Sequence, residues 1–88
     1  MTELSFIAKC FEDVHQILGI KVEPGTEPEI SKELENLPEV AAVYKSLGDY
    51  DLIALLSIED SRALTEFVGE KVRKLKGVVD TKTTLIRK

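Results

Sequence analysis

Two aspartates, Asp49 and Asp51, flank Tyr50 in a short polar hinge, Gly48-Asp49-Tyr50-Asp51, between apolar stretches at 40–47 and 52–58. A carboxylate at the mouth of a buried strand must satisfy its oxygens, with nearby amides or with a cation carried by a ligand. In the first case Asp49 makes the turn and Asp51 bonds neighbouring backbone. In the second, Asp51 accepts hydrogen bonds from a group such as an α-ammonium. Thr81 and Thr83 are two residues apart, so on a strand they project from one face. Paired hydroxyls there can donate to a carboxylate while nearby carbonyls accept from an amine; threonine also suits a strand for its own sake.

The remaining reactive residues offer less. His15, the lone histidine, has no acid or nucleophile at an informative spacing, and general-base work needs an oriented partner. It reads as a surface or interface histidine. Cys10 is the only cysteine, which excludes an intrachain disulfide and a Cys-x-x-Cys pair and suits a reducing cytoplasm. Its expected role is a small buried apolar side chain. Glu27, Glu29, Glu33, Glu35, Glu66 and Glu70 fall at helix-surface spacing. No zinc-protease, EF-hand, phosphate-loop or nucleophile-elbow pattern occurs. No catalytic residue, metal ligand or cofactor is therefore expected.

The elements that must position these residues follow from periodicity. Eighty-eight residues make one domain. Residues 16–22 read as a first strand, closed by a turn at Pro24-Gly25. Thr26 and Glu29 have the spacing of a capping box, opening a helix to about Leu37 with Ile30, Leu34 and Leu37 buried, and Pro38 stops it. Strands at 39–47 and 50–58 are close enough in sequence to form an antiparallel hairpin. On the second of them Leu52, Ala54, Leu56 and Ile58 share one face and Ile53 and Leu55 the other. A second helix begins at Asp60 or Ser61, with a stripe of Ala63, Leu64, Phe67, Val68, Val72 and Leu75 and a cap at Gly77. A last strand covers 78–87. Residues 1–14 form a leader: Leu4, Ile7, Phe11 and Val14 favour an amphipathic helix, with an added strand through 5–9 as the alternative.

The order βαββαβ, with right-handed crossovers, predicts an α+β, ferredoxin-like fold: one four-stranded antiparallel sheet carrying two helices on one face. The other face is left bare. Whichever side the helices cover, apolar residues remain on the open side, and burying a Leu or Ile contributes roughly 1.5–3 kcal/mol. Sheet-on-sheet pairing of two copies is the expected outcome, the alternative being a leader folded back over that face within one chain.

Together these residues resemble a known family. Leu37-Pro38-Glu39-Val40, Tyr44, Gly48-Asp49-Tyr50-Asp51-Leu52, Leu75-Lys76-Gly77-Val78 and Thr81-Lys82-Thr83 are similar to the effector-binding (RAM) domain of the Lrp/AsnC regulators, over about residues 16–88. The resemblance implies dimers formed through the sheet, further assembly into octamers or decamers, and an amino-acid effector at the dimer–dimer contacts. It assigns effector binding to Gly48, Asp49, Tyr50, Asp51, Thr81, Thr83 and Thr84. Gly48 would let backbone amides approach the ligand. One departure is large: the family's regulators carry an N-terminal helix-turn-helix, and a leader of about 14 residues is too short for one. The chain is expected to be a stand-alone or excised effector domain.

The function expected is a cytoplasmic amino-acid-sensing and oligomerisation module that modulates transcription, alone or by co-assembly with a full-length regulator. Net charge −4 argues against direct DNA binding, and the cations Lys71, Arg73, Lys74 and Lys76 read as a solvated helix end. No apolar run reaches the roughly 18–20 residues that span a bilayer, and the acidic Met1-Thr2-Glu3-Leu4 start argues against export. Two alternatives are weaker: a small dimeric ferredoxin-like enzyme lacks a converging acid–base set, and single-stranded RNA binding finds only Tyr50 as an aromatic on the central strands.

Overall fold

The computed structural model describes residues 14–86. Cys10 and all of the expected leader but Val14 lie outside the described residues. Val14 is buried, 2% exposed.

Four strands, β1 (Gln16–Val22), β2 (Val40–Lys45), β3 (Leu52–Leu56) and β4 (Val78–Leu85), form one antiparallel sheet in the order β2-β3-β1-β4. Helix α1 (Glu27–Glu35) connects β1 to β2, and α2 (Ser61–Phe67) connects β3 to β4. This is the ferredoxin-like arrangement that the βαββαβ pattern predicts. Burial alternates along the two central strands: Leu18, Ile20 and Val22 of β1 and Leu52, Ala54 and Leu56 of β3 are buried with Ile30 and Leu34 of α1 and Phe67 of α2. The helices therefore cover the Leu52–Ala54–Leu56 side, and Ile53 and Leu55 lie on the open face with Ile17, Ala42 and Tyr44.

Gln16 is the one polar side chain buried in this core among the described residues. Its amide donates to the Ile58 carbonyl and accepts from the Ile58 amide, so both polar ends are satisfied by one residue just past β3.

Several local expectations shift. The capping box does not form. Thr26 already has helical dihedrals, φ −95° and ψ −5°, and Pro28 lacks one of the amides a cap would satisfy. The Thr26 hydroxyl instead donates to the Glu23 carbonyl at 2.6 Å. Ala63 is exposed, because α2 meets the core through Leu64 and Phe67. After Phe67 the helix widens into a π-helical turn, Val68–Val72, closed by the Arg73 amide on the Val68 carbonyl at 2.9 Å. In a regular α-helix Phe67 and Val72 would sit roughly 140° apart. The wider turn lets both be buried. Gly77 caps the segment at φ 104°, as its sequence position predicts, and a Cβ there would meet Thr26 Oγ1 at 3.0 Å. β2 and β3 are shorter than expected by one or two residues at each end, which leaves 46–51 as a true loop.

Candidate functional site

The loop 46–51 is tied to the sheet by backbone. Ser46 N donates to the Asp51 carbonyl and Asp51 N to the Ile20 carbonyl, each at 2.9 Å. Ser46 Oγ accepts from Gly48 N at 3.2 Å, which turns the chain behind the fully exposed Leu47. Asp51 Oδ2 accepts from Val22 N at 2.9 Å. One oxygen of this carboxylate thus extends the β1–β3 ladder past its last backbone pair, Ile20–Leu52. Asp49 makes no comparable contact among the described residues and stays exposed at the loop tip.

Tyr50 turns back over the open face of the sheet. It lies above Gly19 of β1, where a Cβ would come within 3.0 Å of Tyr50 Cγ. Beside it is a shallow cavity of about 300 Å³ whose walls include Asp49, Tyr50, Lys82 and Thr84, over a floor of Ile17 and Gly19. Gly19 belongs to no glycine-rich cradle and is not among the site residues expected from the sequence, although a glycine inside a strand is a signal for close approach of another group.

β4 divides the expected threonines between two faces. Thr81 pairs with Ile20 and Thr83 with Leu18, so both point to the helix side. Lys82 pairs with Gly19 and Thr84 with Ile17, on the open side. The shared face of Thr81 and Thr83 follows from strand period, but Thr84 joins the Tyr50 cavity instead. Thr83 lines a second groove, about 370 Å³, between α2 with its π turn and β4. Leu64 and Val68 give that groove apolar walls, and Thr65, Gly69 and Arg73 complete it. Arg73 Nε donates to Thr81 Oγ1 at 3.3 Å.

The electrostatics are modest. Lys71 Nζ holds Glu39 Oε2 at 2.7 Å and Lys74 holds Glu70 at 2.8 Å. The hydrogen bond from Lys71 keeps the Glu39 carboxyl below the usual range, against a smaller upward push from burial. Glu39 Oε1 is buried without a partner among the described residues. Two of the four late cations are thus paired on the helix surface, as a solvated helix end predicts, whereas Arg73 reaches across to β4. His15 uses its backbone to join strands, donating to the Leu56 carbonyl and accepting from Ile86 N. No three metal-ligating side chains converge among the described residues. No helix among them is long and apolar enough to cross a membrane.

Comparison with known proteins bears on the domain as a whole. Residues 16–88 match the family model of the Lrp/AsnC ligand binding domain. The chain is 31% identical to the HTH-type transcriptional regulator Ptr1 of Methanocaldococcus jannaschii over 84% of its own length and 50% of Ptr1. It is 36% identical to the HTH-type transcriptional regulator LysM of Saccharolobus solfataricus, over 67% of this chain and 41% of LysM. The chain thus spans about half the length of the curated relatives it matches. Among solved structures, TTHA0845 from Thermus thermophilus superposes with a TM-score of 0.80 at 29% identity, covering 85% of this chain and 94% of that one.

Proposed function

This chain belongs to the Lrp/AsnC family through its ligand-binding domain, and on that premise we propose that it senses a small amino acid and converts its binding into a change of assembly. The domain is a regulatory, effector-binding module, and the relatives it matches are named transcriptional regulators rather than enzymes. The effector residues are Gly48, Asp49, Tyr50, Asp51, Thr81, Thr83 and Thr84.

The observation that carries the reading is the division of these residues between two faces of one sheet. The Tyr50 cavity opens on the bare face and the Thr83 groove on the helix face. One protomer cannot bring both to a single ligand, so an effector that touches both must sit between copies. The bare face supplies the first contact: Ile17, Ile53, Leu55 and Tyr44 form an apolar surface of the kind two sheets bury against each other. Dimers built that way leave the exposed loop tip at Leu47, Gly48 and Asp49 and the helix-side groove for a second round of contacts, giving rings such as octamers or decamers. A ligand that prefers one assembly state moves the population toward it. A full-length regulator of the same family could join through the same sheet, which would make this cytoplasmic module a modulator of transcription without DNA contacts of its own.

The test pairs calorimetry against the twenty amino acids with light scattering in the presence and absence of each binder. The expected result is a dimer or larger assembly whose size distribution changes with one or a few amino acids. A monomer at micromolar concentration, or an assembly that binds none of them, would overturn the reading.

A further inference from the structure

We propose that the groove between α2 and β4 is a carboxylate subsite and that Arg73 is the residue that reads the effector's carboxylate. The inference rests on the effector-binding function proposed above and names the chemistry that the groove selects.

Arg73 differs from its neighbouring cations. Lys71 and Lys74 each hold a carboxylate within 2.8 Å, but Arg73 has no acidic partner within ion-pair distance among the described residues. Asp80, the acid of β4 nearest in sequence to Thr81, pairs with Lys21 in register and so lies on the opposite face of the sheet. The Arg73 backbone closes the π turn on the Val68 carbonyl, which fixes where the side chain starts. Its Nε then donates to Thr81 Oγ1 at 3.3 Å. A guanidinium carries five N–H donors in a planar fork, so a single hydroxyl contact leaves most of the fork for an oxyanion.

The surroundings match that role. Thr81 accepts from Arg73 and keeps its own hydroxyl proton for an acceptor, and Thr83 adds a second hydroxyl to the same face. Leu64 and Val68 offer apolar walls for methylene groups. Gly69 also lines the groove, and a Cβ there would stand in open space, with nothing within 4 Å. A volume of about 370 Å³ suits a small metabolite, near the low end of ligand pockets. Bidentate Arg–carboxylate pairing is favoured wherever planar recognition matters. The carboxylate can be that of an acidic side chain or the α-carboxylate common to all amino acids.

Calorimetry of the wild-type assembly against the twenty amino acids, repeated with Arg73→Gln, decides the matter. The expected result is a loss of at least tenfold in affinity. If the loss is confined to L-aspartate or L-glutamate, Arg73 reads a side-chain carboxylate; if it is equal for every binder, Arg73 reads the α-carboxylate. Arg73→Lys, which keeps the charge without the fork, is expected to fall between. Gly69→Leu places a side chain in the groove lining from the π turn and is expected to abolish binding with no fall in the urea midpoint, and it serves if Arg73→Gln does not fold. Affinities within twofold of wild type in Arg73→Gln, or in a folded Gly69→Leu, would overturn the subsite and leave the sensing function standing. Absence of any binding to the wild type would overturn the sensing function and this inference with it.

Discussion

Tyr50 lies over Gly19: a Cβ built on the glycine would approach Tyr50 Cγ to 3.0 Å, Cδ2 to 3.1 Å and Tyr50 Cβ to 3.4 Å. The contact joins the middle of the central strand to the hinge between β2 and β3. It also sets the wall of the open-face cavity, because the ring stands beside Asp49 and Thr84.

Gly19→Ala is therefore expected to destabilise the fold, against the ordinary trend. Alanine in a strand normally gains about 0.5–1 kcal/mol over glycine through backbone entropy. Here the atoms that would be struck are the base of the ring and Tyr50 Cβ, which move only if the loop moves. A net loss of about 1–2 kcal/mol follows from overpacking. Urea unfolding of Gly19→Ala, Tyr50→Ala and the double variant would show it, with the alanine at Gly19 neutral or favourable once the ring is gone.

Asp51 gives a second expectation, which separates stability from ligand binding. Its Oδ2 takes the Val22 amide at 2.9 Å. Asp51→Ala leaves that amide without its acceptor and is expected to cost about 1–3 kcal/mol of stability even without ligand. Asp51→Asn keeps an acceptor oxygen and should cost less than about 1 kcal/mol. If Asp51 also meets an effector ammonium, Asp51→Asn weakens amino-acid binding well beyond its effect on the urea midpoint. Comparing the two readouts in one variant separates the structural share from the functional one.

Much of this arrangement was legible in the residues alone, because it is written in short-range periodicity. Leu52, Ala54 and Leu56 on one face and Ile53 and Leu55 on the other predicted the sheet and an apolar bare side, though not which of the two faces the helices cover. Pro24-Gly25 and Gly77 marked the turns where positive φ is found, at 89° for Gly25 and 104° for Gly77. What failed to show was anything decided by contact across the fold. Thr26 and Glu29 have capping-box spacing, yet the helical dihedrals of Thr26 turn its hydroxyl to Glu23. The π turn depends on Phe67 and Val72 competing for one core, which no local pattern encodes. Thr84 went with its neighbours in sequence but points away from them, since a strand alternates at every residue. Arg73 looked like one more solvated cation because its partner, Thr81, belongs to another element.

The bare face yields a prediction about assembly. Ile53 is half-buried in the single chain, beside the 58% exposed Tyr44 on β2 and across from Gly19 on β1. If two copies bury this face, Ile53→Lys places a charge in an apolar contact without touching the helix-side core. Self-association is expected to weaken at least tenfold, which corresponds to about 1.4 kcal/mol. Light scattering reads the mass, and circular dichroism is expected to stay unchanged.

Acid should loosen the junction between α1 and β2 through Glu39. The Lys71 hydrogen bond, 2.7 Å long, keeps the Glu39 carboxyl below its usual value of 4.5. A carboxyl whose folded pKa is depressed releases its proton more readily when folded, so the ion pair stabilises the fold fully at pH values above 4.5. That stabilisation is lost as pH falls through the lower, folded-state pKa. Both side chains are partly exposed, 45% for Lys71 and 29% for Glu39, so the pair is worth no more than about 1 kcal/mol. Glu39→Gln is accordingly expected to lower the urea midpoint at pH 7 and to converge on the wild type as pH falls through the folded-state pKa of Glu39. Lys71→Met should show the same convergence, because it removes the hydrogen-bond partner that favours the ionised Glu39 carboxylate. A gap between wild type and Glu39→Gln that does not shrink at any pH below 4.5 at which the fold persists would assign the loss to the packing of Glu39 rather than to its charge.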